Sequence, residues 1–126
     1  MYVSSVATAP TRQRGGLVSH VLLQAGDADP SALAITWVEV APGAQQDLHT
    51  HDPEQAYVVV RGTGRMRVGD EVRDLGPGEL ALAPPGVSHG IENAGQEPLV
   101  YISAATPSFE VTGVYDTANS LIQFFA

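Results

Sequence analysis

The 126-residue chain carries 14 acidic against 6 basic residues, a formal net charge of −8, and no cysteine. Its length suits one hydrophobic core rather than two ordinary domains, and its acidity argues against nucleic acid and gives no support for anionic membrane surfaces, both of which need a basic footprint. The missing cysteines exclude a disulfide framework, a thiolate nucleophile, thiolate-bound zinc and an iron–sulfur cluster; all six basic residues are arginine, so Schiff-base chemistry on lysine is excluded as well.

Residues 1–16 hold Pro10, Arg12, Arg14 and a glycine pair without an apolar period. They read as an arm, either disordered or laid across a partner subunit. The arm lacks the charged and apolar regions of a signal peptide, and no apolar run approaches the ~20 residues that span a bilayer, so a cytoplasmic location is expected. Beyond it, β-branched and aromatic stretches at 17–24, 33–40, 56–61, 65–68, 79–83 and 98–104 predict strands. Turn signals punctuate them, among them Pro42-Gly43, Gly62-Thr63-Gly64, Gly69-Asp70, Gly76-Pro77-Gly78 and Pro84-Pro85-Gly86. Short strands so punctuated predict an all-β sandwich or barrel, here over residues 17–115. The tail, 116–126, has apolar residues in neither helical nor strand period and is expected to pack on the barrel or on a partner as a short helix or an extended segment.

Two spacings carry the chemistry. The first is Gly43-x5-His49-x-His51-x3-Gln55-x6-Gly62, and the second is Gly78-x5-Pro84-x-Gly86-x2-His89-x3-Asn93. Side chains two apart on an extended chain share a face, so His49 and His51 can grip one ion, Gln55 keeps their parity, and His89 would arrive from a separate strand once the sheet closes. An isolated His-x-His pair often only decorates a polar surface; the second spacing is what raises this one to a metal site.

These spacings resemble the two signatures of the cupin superfamily at every named position but one, where Gln55 stands in place of the family glutamate. The resemblance implies a double-stranded β-helix, a jelly-roll-like barrel, often dimeric, with one divalent transition metal per subunit at His49, His51, Gln55 and His89. It does not imply one reaction, because the superfamily includes dioxygenases, isomerases, cyclases, decarboxylases and non-enzymatic binders. Imidazole ligands suit iron, zinc or nickel, with manganese after them. Three imidazoles and a carboxamide are all neutral, so a divalent ion would keep its full charge and polarise oxygen ligands more strongly than beside a glutamate. The plainer alternative is that Gln55 lies outside the coordination shell; Glu54 is its rival, but its parity points it away unless a bulge intervenes.

Tyr57 follows Gln55 by two and is a candidate acid, base or substrate-binding phenol, or else pocket wall. His20, on a face with Val18 and Leu22, is a candidate catalytic residue or a packed core or interface histidine. Trp37 and Tyr101 suit core packing, the cluster Arg61, Arg65, Arg67 and Arg73 suits a solvated strand edge, and Asn93 suits a turn. Gly86-x-Ser88-x-Gly90 matches the nucleophile-elbow pattern of serine hydrolases, but Pro84-Pro85 stands where that motif needs a strand, so Ser88 is not expected to be a nucleophile. The expected function is a metal-dependent enzyme acting on a small oxygenated organic molecule, with dioxygenase-type cleavage placed first. Isomerase, lyase or polyketide-cyclase chemistry comes next, and a metal-stabilised binding module without turnover last. Ala56, Val58 and Val60 form an apolar face opposite the pocket, which predicts a homodimer.

Overall fold

Apolar residues recurring every second position dictate a protein of two faces. In β3 (Ala34–Val40) the side chains of Ala34, Thr36, Val38 and Val40 are buried, while Ile35, Trp37 and Glu39 alternate to the outside. A computed structural model describes residues 1–106. It adds to β3 the strands β1 (Thr11–Arg14), β2 (Leu17–Leu23), β4 (Glu54–Arg61), β5 (Gly64–Val68), β6 (Glu71–Leu75), β7 (Leu80–Ala83), β8 (His89–Glu92) and β9 (Leu99–Thr106). The expected end of the barrel at 107–115 and the tail at 116–126 lie outside the described residues.

The strands form two antiparallel sheets, one of six in the order β1-β2-β3-β9-β4-β7 and one of three in the order β6-β5-β8. Their inner faces enclose one core, in which Val38 and Val59 of the large sheet meet Met66 and Ile91 of the small one. This is the all-β double-stranded β-helix that the resemblance implied. Residues 45–49 extend the small sheet past β8: Gln45 pairs with Glu92 and His49 with His89. The His49–His89 bridge is reciprocal, with N–H to carbonyl distances of 3.0 and 2.9 Å. That pairing brings together two residues forty positions apart in sequence.

The turns explain how so short a chain closes. Gly69-Asp70 joins β5 to β6 with Val68 opposite Glu71, and only the glycine has positive φ, as the first position of a II′ hairpin requires. Gly62 has φ +79°, and a Cβ there would stand 2.5 Å from the Pro98 carbonyl oxygen, so no larger residue fits.

Two strands, β1 and β6, differ from expectation, while β8 is the separate strand expected to bring His89. Thr11–Arg14 pairs with β2 as an edge strand, although the sequence suggests only an arm; such a strand needs backbone partners on one side and no apolar period. Farther along the arm, the Ser4 hydroxyl donates to the Leu22 carbonyl at 2.7 Å. Strand β6 is equally unmarked, because four of its five residues are exposed and the hairpin alone sets its register. Strand β8 is only four residues long and carries its glycine at Gly90, whose Cβ would press on the Gln46 carbonyl at 3.0 Å. Among the described residues, no helix is long and apolar enough to cross a membrane.

Candidate metal centre

The period-two rule places His49 and His51 on one side of the chain entering β4, with Gln55 following on β4 itself and His89 opening β8. All four side chains are buried. One ring nitrogen from each of the three histidines lies within 4.8 Å of the other two. The ring centroids are 4.3 Å apart for His49 and His89, 4.9 Å for His51 and His89, and 5.3 Å for His49 and His51.

Each imidazole is oriented through its Nδ1. His49 Nδ1 bonds the Asp47 carbonyl at 2.9 Å, His51 Nδ1 the Pro53 carbonyl at 2.6 Å, and His89 Nδ1 the Val87 carbonyl at 2.8 Å. A carbonyl only accepts, so Nδ1 carries the proton in all three rings, and in the neutral imidazole each Nε2 is left with its lone pair. Burial favours that neutral form: it lowers the His49 pKa to about 4, with the neighbouring imidazoles adding to the effect, and lowers His89 in the same direction.

Gln55 completes the cluster. Its Nε2 donates to the Ser103 hydroxyl at 2.6 Å, which turns Oε1 inward to 2.9 Å from His51 Nε2 and 3.0 Å from His89 Nε2. His49 Nε2 is buried without a hydrogen-bond partner of good geometry. With the rings neutral, the amide oxygen and the imidazole nitrogens facing it are all lone-pair donors, an arrangement that repels itself unless a cation sits among them. The three histidines therefore fit a divalent metal, which their Nε2 atoms could hold with Gln55 Oε1 beside them.

The other candidates occupy distinct places. Glu54 is exposed, as its parity required. Tyr57 is fully buried, with its ring centroid 5.9 Å from that of His89, and its hydroxyl donates to Gln46 Oε1 at 2.8 Å. Burial pushes its phenol far above the usual range and keeps it protonated. Tyr101 packs against Tyr57 at 5.2 Å in the core, whereas Trp37 faces outward. His20 is not brought to the cluster: it lies on the outer face of β2, with Nε2 3.0 Å from Glu39 Oε2. Asn93 ties a turn by donating to the Val40 and Glu97 carbonyls and accepting from Gly95 N–H. Arg65 and Arg73 make exposed ion pairs with Asp74, Glu92 and Glu79. A groove of about 360 Å³, lined by Arg65, Arg67, Leu48 and Val72 among others, lies on the outer face of the small sheet and not at the histidines.

Two contributors escape sequence reasoning, Ser103 and Gln46. Ser103 is the small polar residue on the inward face of β9, with Tyr101 and Ala105 as its neighbours of the same parity, a signal that could have been read from parity; Gln46 precedes β4 in irregular chain, where no period applies.

An all-β barrel with a buried three-histidine cluster defines a class of protein, and comparison with known proteins gives the family. The Cupin_2 cupin-domain profile matches residues 36–105, and the chain belongs to that family. It is 36% identical over 72 residues to the mannose-1-phosphate guanylyltransferase ManC of Salmonella typhimurium, a match that covers 57% of this chain and only 15% of that protein. Among solved structures, an RmlC-like cupin from Shewanella frigidimarina superposes with a TM-score of 0.75 at 22% identity, covering 87% of this chain and 94% of the other. The polyketide cyclase RemF from Streptomyces resistomycificus gives 0.73 at 21% identity, covering 86% and 80%.

Proposed function

We propose that this chain is a metal-dependent enzyme performing non-redox chemistry at an oxygen of a small organic molecule, as isomerases, lyases and cyclases do. The observation that supports it is the all-neutral donor set of His49, His51, His89 and Gln55. A divalent ion bound there would supply Lewis acidity towards a substrate oxygen. The protein's own part is to hold that donor set rigid, through three backbone carbonyls behind the imidazoles and Ser103 behind Gln55. Tyr57 stays protonated and keeps its hydrogen on Gln46, so it serves as a fixed dipole and wall beside His89 rather than as a base. The fold shared with the polyketide cyclase RemF supports this reading.

Dioxygenase chemistry ranks second, because a metal that gains positive charge on oxidation is disfavoured where no anionic side chain balances it. Metal analysis of protein purified without chelators, followed by turnover assays with and without dioxygen, separates the readings. Zinc with dioxygen-independent turnover is expected. Iron with turnover that demands dioxygen would overturn the proposal for the dioxygenase, and bound metal without turnover would leave a metal-stabilised binding module.

We also propose a homodimer formed through the outer face of the large sheet. Trp37, Ile102, Val58 and Leu80 line up in register across four strands there, and Leu80 and Leu82 remain 59% and 52% exposed. Light scattering at micromolar concentration is expected to report twice the chain mass; a monomer would refute it.

A further inference from the structure

The charge balance of the interior narrows the substrate class. Among the described residues, the buried polar side chains are serine, threonine, glutamine, asparagine and the three clustered histidines, with no carboxylate and no arginine. The carboxylates nearest the cluster in sequence, Asp47, Asp52 and Glu54, are all exposed.

We infer that the ligand itself supplies the missing negative charge: the site takes its substrate as an oxygen anion, of carboxylate or enolate type, and discriminates against a neutral carbonyl of the same shape. The inference rests on the metal reading above and deepens it. A dication lowered into a buried, carboxylate-free cluster is under-compensated, and the cost of desolvating it falls when an anion enters with it. Gln55 is the determinant. A glutamate at that position would fill the same volume, neutralise one unit of charge permanently and remove much of the advantage of an anionic ligand. The Ser103 contact fixes the amide with its oxygen inward, so the cluster offers four neutral donors together.

The test uses the full chain loaded with cobalt(II), whose visible spectrum reports ligand binding without any turnover assay. Acetate and acetamide serve as anionic and neutral probes of equal size, and acetylacetone serves as an enolate source. The expected result is one cobalt per chain and binding of acetate, of the acetylacetone enolate or of both at least about tenfold tighter than of acetamide; the relative strength of the two anions tells carboxylate from enolate. In Gln55→Glu, cobalt should load as well or better while the anion preference collapses towards parity. Failure to load cobalt would overturn the metal reading and this inference together. Cobalt that loads yet binds acetamide as tightly as both anions in the wild type, or a Gln55→Glu variant that loads and keeps the full preference, would overturn this inference alone. The wild-type comparison decides by itself should the variant not fold.

Discussion

The chain holds two kinds of histidine, and the contrast between them shows how a fold readies an imidazole to receive a metal. Inside the barrel, His49, His51 and His89 each commit Nδ1 to a backbone carbonyl and turn Nε2 towards a common point shared with Gln55 Oε1. Outside it, His20 turns Nε2 towards Glu39, a carboxylate still 46% exposed. Residue type is the same in both places, and His20 and His89 both sit on strands. The difference lies in which face of the sheet closes on the core and in what the second ring nitrogen finds behind it.

The strongest way to break this comparison is to remove the inner imidazoles one at a time. Replacement of His49, His51 or His89 by Ala should lower metal affinity by about two orders of magnitude or more and reduce thermal stability in the presence of metal, as followed by elemental analysis and calorimetry. Full occupancy in all three variants would dissolve the distinction between inner and outer histidines.

Acid offers the next largest effect. In metal-free protein the unfolded chain takes up a proton at His49 below about pH 6.5, whereas the folded chain refuses it until about pH 4. Stability is therefore complete above pH 6.5 and declines as pH falls through this window, by roughly 3 kcal/mol from His49. His89 shifts in the same direction and adds to the loss. Urea unfolding between pH 7 and 4 measures it, and a His49→Gln variant should show a shallower decline; identical profiles for the two proteins would place the effect elsewhere.

Ser103→Ala probes orientation rather than ligation. Without the hydroxyl, the Gln55 amide loses what turns Oε1 inward, and metal affinity should fall by about tenfold, within the range seen when the partner of a ligand is removed. Competition with a colorimetric chelator would detect this, and unchanged affinity would mean that the amide is held by its surroundings without Ser103. The smallest effect belongs to His20→Ala, which should leave metal content unchanged and cost less than about 1 kcal/mol, since its partner Glu39 stays in contact with solvent. Loss of metal in that variant would contradict the outward placement of β2's alternate face.

Much of the site is legible before folding because strand geometry is local. The parity that pairs His49 with His51, and the one along β4 that turns Glu54 away from Gln55, need only locally extended backbone, while the bend at Asp52-Pro53 that joins the two stretches lies outside that rule. The six predicted strands correspond to β2, β3, β4, β5, β7 and β9 for the same reason. What escaped depends on hydrogen bonds that carry no side-chain signature. Strand β1 is held by backbone pairing with β2, and β6 by a two-residue turn; neither buries an apolar stripe that a period could reveal.

The strand period, the exclusion of cysteine and lysine chemistry, and which residues share a face all follow from composition or from the two-residue repeat of an extended chain. Which face lies inside is set when the two sheets close on one another. Val18, His20 and Leu22 form as regular an alternation as the motif histidines, yet closure of the two sheets leaves them on the outer face. The His49–His89 bridge, the carbonyl behind each Nδ1, and the Ser103 hydroxyl that orients Gln55 are likewise products of closure. Each joins the site to backbone or side-chain groups whose positions no local rule specifies, because they are set by sheet register across the whole barrel.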